Sequence, residues 1–89
     1  IEDYGLIKDI LIYPNPNRGI FEINALLQQR ANIKIGLYDL EGRLVFSDAV
    51  FLESGHFIMH INLSDIDAGI YNLQLLLEKG VVHRKIVIH

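Results

Sequence analysis

The sequence predicts an all-β domain built from seven short strands in two packed antiparallel sheets. Apolar and polar residues alternate with a period of two along most of the chain, and helical periodicity is hard to find. Turn residues separate the alternating runs at intervals of roughly 8–12 residues, which is typical of sandwiches and barrels. The 89 residues are 51% hydrophobic and 21% charged, a composition that favours one folded domain over a disordered chain.

The alternating runs place strands at residues 6–13, 19–24, 32–40, 43–53, 56–63, 70–78 and 81–88. Three of these runs have one clearly apolar face. These faces are Ile33, Ile35 and Leu37; Phe57, Met59, Ile61 and Leu63; and Tyr71, Leu73, Leu75 and Leu77. A period of two sends each set to one side of a sheet, and burying that side requires a second sheet. The predicted architecture is therefore a seven-stranded immunoglobulin-like antiparallel β-sandwich.

The first joint in the chain is rich in proline and asparagine. Pro14 and Pro16 fix φ, lack an N–H donor and push the preceding residue into an extended conformation. We therefore expect them to end the first strand and to prevent edge pairing in this segment. Gly19 permits the turn into the second strand. Residues 25–31 carry two glutamines and are predicted to form a loop, with a single helical turn as the alternative.

The later joints have equally clear turn chemistry. Asp39, Gly42 and Arg43 belong to a predicted hairpin in which Gly42 supplies a positive φ. A further hairpin is expected at residues 78–80, and residues 53–55 are expected to join the fourth and fifth strands. Residues 67–71 resemble the tyrosine corner of immunoglobulin domains, in which a tyrosine hydroxyl bonds to upstream backbone. Leu73 stands where those domains have cysteine, and the chain has no tryptophan, so only the corner itself is expected.

The composition argues against several classes of function. The net charge is −3 and the eight basic residues are scattered, so a nucleic-acid partner is not expected. The absence of cysteine excludes disulfides and thiolate chemistry. No apolar run reaches the roughly 20 residues of a membrane helix, so direct membrane insertion is not expected. Because the chain begins at Ile1, we expect a piece of a longer protein, with residues 1–5 as a linker remnant and residues 6–89 as one domain.

The polar side chains form no convincing catalytic or metal-binding pattern. His56 and His60 share a strand face but lie four residues apart, about 13 Å at strand rise, too far to share one metal ion. Asp65 and Asp67 faintly resemble a calcium loop, although ordinary turn chemistry explains them better. No serine lies in a nucleophile elbow. The chain is therefore not expected to be an enzyme or to hold a cofactor.

Taken in order, four segments resemble the C-terminal sorting domain of proteins exported by the type IX secretion system of Bacteroidota-type bacteria. The likeness extends from Ile12 to nearly the last residue. The residues that carry it are Pro14, Asn15, Pro16 and Gly19; Asp39, Gly42 and Arg43; Gly69 and Tyr71; and Lys85, Ile86, Val87 and Ile88. We refer to them below as the sorting-motif residues.

The resemblance implies an address label joined to an N-terminal cargo protein. Such a cargo crosses the periplasm and reaches the cell surface or medium through the type IX machinery, and in many members a surface sortase removes the domain. The resemblance associates recognition with the terminal strands, and a sheet edge there suits strand addition to a partner or pairing with a second copy. The alternative function is an immunoglobulin- or fibronectin-like spacer in a secreted enzyme or adhesin.

Overall fold

The alternating apolar and polar residues form seven strands, and the described part of the chain contains no helix. The computed structural model describes residues 5–89. The strands are β1 (Ile7–Tyr13), β2 (Ile20–Leu27), β3 (Ala31–Tyr38), β4 (Leu44–Leu52), β5 (Gly55–Asn62), β6 (Gly69–Leu77) and β7 (Gly80–Ile88). One sheet has the order β1-β2-β5 and the other β4-β3-β6-β7, with every pairing antiparallel. The predicted immunoglobulin-like sandwich is confirmed.

The core lies between the two sheets and is built from every second residue. The three predicted apolar faces are confirmed: those of β3 and β6 are fully buried, and that of β5 is buried at Ile61 and half-buried at Phe57 and Met59. The β5 face is less covered because β5 is the edge strand of the three-stranded sheet. The burial of alternate side chains is the main favourable contribution to the stability of this small domain.

The predicted loop at residues 25–31 is partly wrong. Ala25 and Leu27 are buried members of β2, where they continue the alternation begun by Phe21 and Ile23. Ala25 pairs with Phe57 of β5, and Leu27 pairs with Gly55 of β5 and Ile7 of β1, so the loop shrinks to residues 28–30. The reason is that the apolar face of β2 outweighs the turn propensity of the two glutamines that follow it.

The predicted linker at residues 1–5 falls mostly outside the described residues. Of that segment only Gly5 is described, as an exposed turn residue before β1. The boundary of the domain at residue 6 therefore stays a prediction.

β7 turns alternate side chains in opposite directions. Ile86 and Ile88 are 0% and 3% exposed and lie in the core. Lys85 is exposed and Val87 is half-buried on the outer face of the four-stranded sheet, beside Asn72 and Ile70 of β6. Half of the terminal strand therefore builds the core and the other half faces outward.

This division predicts that two neighbouring substitutions lower the stability of the domain by very different amounts. Ile86→Ala should lower the free energy of unfolding by about 2–5 kcal/mol, because it leaves a cavity between the sheets. Lys85→Ala should change it by less than about 0.5 kcal/mol, because its side chain is in solvent. Urea unfolding of both variants measures the difference. Equal losses would mean that β7 does not alternate as described.

Candidate recognition site

The four segments that carry the sorting-motif residues meet at one end of the sandwich. β1 and β3 finish there, β2 and β6 begin there, and the end of β7 pairs with the start of β6 through Ile88 and Gly69. Residue Asn17, in the loop between β1 and β2, forms an isolated parallel bridge with Ile88. We call this region, residues 14–19, 39–43, 69–71 and 85–88, the motif end.

The proline–asparagine loop binds the outer edge of β7. The side-chain amide of Asn15 donates to the Lys85 carbonyl oxygen at 2.9 Å and accepts from the Val87 N–H at 3.0 Å. The backbone of Asn17 donates to the Val87 oxygen at 2.9 Å and accepts from His89 N–H at 2.8 Å. The expectation that the prolines prevent edge pairing here is wrong, because the two asparagines supply the donors and acceptors that proline lacks.

Asn17 is the buried polar residue of this loop, with 4% of its surface exposed. Its side chain accepts from the Gly19 N–H at 2.7 Å and donates to the Pro14 carbonyl at 2.9 Å. Together with its backbone bonds to β7, these contacts satisfy a side chain that would be costly to bury unpaired. Asn17 is not among the sorting-motif residues predicted from the sequence. An asparagine two residues before a glycine is the available signal, since that spacing forms an Asx turn.

Asp39 organises the turn between β3 and β4. One carboxylate oxygen accepts from the N–H groups of Glu41 and Arg43, both at 2.9 Å. The other accepts from the Arg43 side chain at 2.8 Å. The Arg43 backbone N–H bond is the largest influence that lowers the pKa of Asp39 below its usual value, because it favours the ionised carboxylate. Gly42 adopts a φ of 84° in the same turn, as predicted.

Tyr71 forms the predicted corner. Its ring is buried and its hydroxyl donates to the Asp67 carbonyl at 2.6 Å. Burial raises the pKa of Tyr71, and the charge of Asp67 adds to that effect. Gly69 lies against the Tyr71 ring, and a Cβ placed there would approach that ring to 3.6 Å. The corner thus fixes the connection before β6 to the start of that strand.

The sorting-motif residues fall into three groups by exposure. The buried group consists of Gly19, Tyr71, Ile86 and Ile88. The exposed group consists of Pro14, Asn15, Pro16, Gly42, Arg43 and Lys85, and the half-buried residues are Asp39, Gly69 and Val87. Leu40, which was not predicted as a site residue, is 77% exposed at the tip of the Asp39 turn. Its sequence neighbourhood offers no signal for that exposure beyond its place in a tight turn.

Across residues 5–89, no three histidine, aspartate or glutamate side chains lie close enough to hold a metal ion. The same residues contain no helix that could span a membrane. The charged groups of the Asp39 turn bond to one another and to backbone, which leaves a rigid, shaped surface.

The described residues form a two-sheet β-sandwich whose motif end brings together segments that are distant in sequence. Residues 11–89 match the family model described as the secretion system C-terminal sorting domain, and the chain belongs to that family. It is a C-terminal sorting signal for type IX secretion, linked to a cargo protein and addressed to the machinery that exports it. The route passes through the periplasm to the cell surface or medium. No curated protein matches the chain.

Two glycines of the motif end provide a test of its close packing. Gly19 and Gly42 both have positive φ, at 102° and 84°. A Cβ at Gly19 would collide with the carbonyl oxygen of Leu63, whereas a Cβ at Gly42 would meet nothing within 4 Å. Gly42→Ala should cost about 1–2 kcal/mol of stability from its φ alone. Gly19→Ala should cost a further ~1–3 kcal/mol from the collision.

Thermal and urea unfolding of the two variants measure these costs. The matched φ values make Gly42→Ala the control for backbone strain. A Gly19→Ala variant as stable as Gly42→Ala would show that the loop of residues 14–19 is not held against Leu63.

Proposed function

We propose that the sorting signal is read from the folded motif end and not from the terminal strand as a linear sequence. The observation that carries this proposal is the bonding of β7 to the loop of residues 14–19, which lies some 70 residues earlier in the chain. Ile86 and Ile88 are buried, so in the folded domain a partner reaches the terminal strand only through its outward-facing residues. Family membership supports the sorting role itself.

In this proposal the sorting-motif residues have three different tasks. Gly19, Tyr71, Ile86 and Ile88 hold the motif end in shape, together with Asn17. Asn15, Gly42, Asp39 and Gly69 set the conformation of the surface segments. Pro14, Pro16, Arg43, Lys85 and Val87 form the surface that the type IX machinery contacts. The burial of the first group and the exposure of Pro14, Pro16, Arg43 and Lys85 support this division.

The proposal changes the expected mode of recognition. Strand addition along residues 85–89 would require a partner to displace Asn15 and Asn17, whose four hydrogen bonds already occupy that edge. The same bonds disfavour pairing of this edge with a second copy. Contact through outward-facing side chains requires no such displacement.

The remaining partners follow from the family resemblance. The domain carries out no reaction of its own in this proposal, and neither nucleic acid nor the bilayer is a partner. A surface sortase would separate cargo from the domain on the N-terminal side of β1. The net charge of −3 and the scattered basic residues support the exclusion of nucleic acid.

The test is export of a periplasmic reporter fused to residues 1–89 in a type IX-competent host. The unchanged fusion should reach the surface or medium. Asn17→Ala and deletion of residues 85–89 should both leave the reporter in the periplasm. The substitution removes the side-chain bonds that hold the loop in shape, and the deletion removes the strand edge to which the loop binds. Asn32→Ala, an exposed asparagine of β3 far from the motif end, is the matched control and should be exported normally.

Thermal unfolding of each purified domain separates a lost surface from a lost fold. Export of the Asn17→Ala fusion at the unchanged level would contradict the proposal that the folded end is read. Retention of a folded, unchanged fusion in the periplasm would contradict the sorting role in this host and favour the spacer alternative.

A further inference from the structure

A shallow depression lies on the outer face of the four-stranded sheet, beside the motif end. Its volume is about 290 Å³. It is lined by Leu40, Ile70, Tyr71, Asn72, His83, Arg84 and Lys85. The lining residues come from the Asp39 turn, the start of β6 and the middle of β7, which are distant in sequence and adjacent in the sheet.

The apolar part of this depression is unusually open to solvent. Leu40 is 77% exposed, the highest value among the large hydrophobic residues within residues 5–89, and Ile70 is 41% exposed. Leu40 is also held in place: the turn around it closes through Asp39 N–H to Arg43 oxygen and Gly42 N–H to Asp39 oxygen, both at 3.0 Å. An exposed leucine on a rigid turn loses little conformational entropy on binding a partner.

The polar rim of the depression is basic. Lys85 stands beside Asn72 on the outer face, and Asn72 lies 3.4 Å from the ring of His83. Arg84 folds along β7, where its side chain donates to the His83 carbonyl at 2.7 Å. Among residues 5–89, no acidic residue lines the depression. The nearest turn carboxylate, Asp39, is bonded to Arg43 and to backbone N–H groups.

We infer that this depression receives a short acidic peptide segment of the secretion machinery, with one apolar side chain against Leu40 and Ile70 and a carboxylate at Lys85. This inference rests on the proposed function and names the surface through which it acts. A volume of 290 Å³ suits one or two side chains, below the size usual for cofactors or larger ligands. The charge of the lining complements a carboxylate.

The overall charge separates a peptide from an anionic membrane or polysaccharide. A single carboxylate inserted here meets Lys85 at close range. An extended anionic surface would instead face the whole domain, whose net charge is −3 and which carries only scattered basic residues. The observations therefore favour a discrete acidic segment of a protein.

The test compares matched surface variants in the reporter fusion. Leu40→Ser and Lys85→Glu should each reduce the exported fraction at least about tenfold, because each removes one half of the contact. Lys85→Arg should be exported like the unchanged fusion, since arginine keeps the positive charge. The controls are Leu11→Ser, at a 57% exposed leucine of the other sheet, and Lys34→Glu, at an exposed lysine in the middle of β3. Both should be exported normally.

Unchanged melting temperatures of the purified variants show that their folds are intact. Normal export of both Leu40→Ser and Lys85→Glu, with the unchanged fusion also exported, would overturn the inference and leave the sorting role standing. Loss in only one of the two would overturn the combined apolar and acidic contact. Retention of the unchanged fusion would instead be a failure of the proposed function.

Vesicles of phosphatidylglycerol provide the second measurement. The purified domain should not sediment with them at physiological salt. Sedimentation that is lost in Lys85→Glu would assign the depression to an anionic membrane surface and overturn the inference of a peptide.

Discussion

The structure of the motif end depends on the hydrogen bonds between two asparagines and the outer edge of β7. The loop of residues 14–19 connects two strands of the three-stranded sheet, and Asn15 and Asn17 bond it to the last strand of the other sheet. At its far side, Gly19 accepts from the Leu63 N–H at 2.7 Å. One short loop therefore ties both sheets and the β5–β6 connection together. Apolar burial alone would hold the sheets face to face without setting this end in one arrangement.

This constraint gives a physical reason for the types of residue found in the loop. Proline restricts the backbone and offers no N–H, so a proline-rich segment pairs poorly with a strand. The asparagine side chain carries both a donor and an acceptor, and Asn15 uses them in place of the missing backbone groups. Asn17 uses its backbone toward β7 and its side chain within the loop. The result is a closed edge on a strand that would otherwise expose unpaired backbone.

Local patterns predicted most of the fold and two of the turns at the motif end. The faces of β3, β5 and β6, the Asp39 turn and the Tyr71 corner all depend on residues within a few positions of one another. The predicted end of β2 was wrong because the glutamines that follow Leu27 resemble loop residues. The burial of Ala25 and Leu27 depends on the opposite sheet, which local patterns do not show. The contact of Asn15 with Lys85 and the exposure of Leu40 could not be predicted, because they depend on how distant segments meet.

The same structure separates the two meanings of a short sequence motif in a folded signal. Some of its residues are needed because the end would lose its shape without them, and others because a partner touches them. In β7 the two meanings alternate along one strand, since Ile86 is in the core and Lys85 is in solvent. Loss of export on mutation is therefore informative only when the stability of the same variant is known.

Hydrogen exchange at the outer edge of β7 tests the central claim most directly. The backbone groups of His83 and Val87 point to the same side of an edge strand, and of these two N–H groups it is that of Val87 that donates to an asparagine. The account predicts that the Val87 amide exchanges slowly, that the His83 amide exchanges fast, and that Asn15→Ala makes Val87 exchange as fast as His83. Equal, fast exchange at both positions in the unchanged domain would show that the loop does not close this edge.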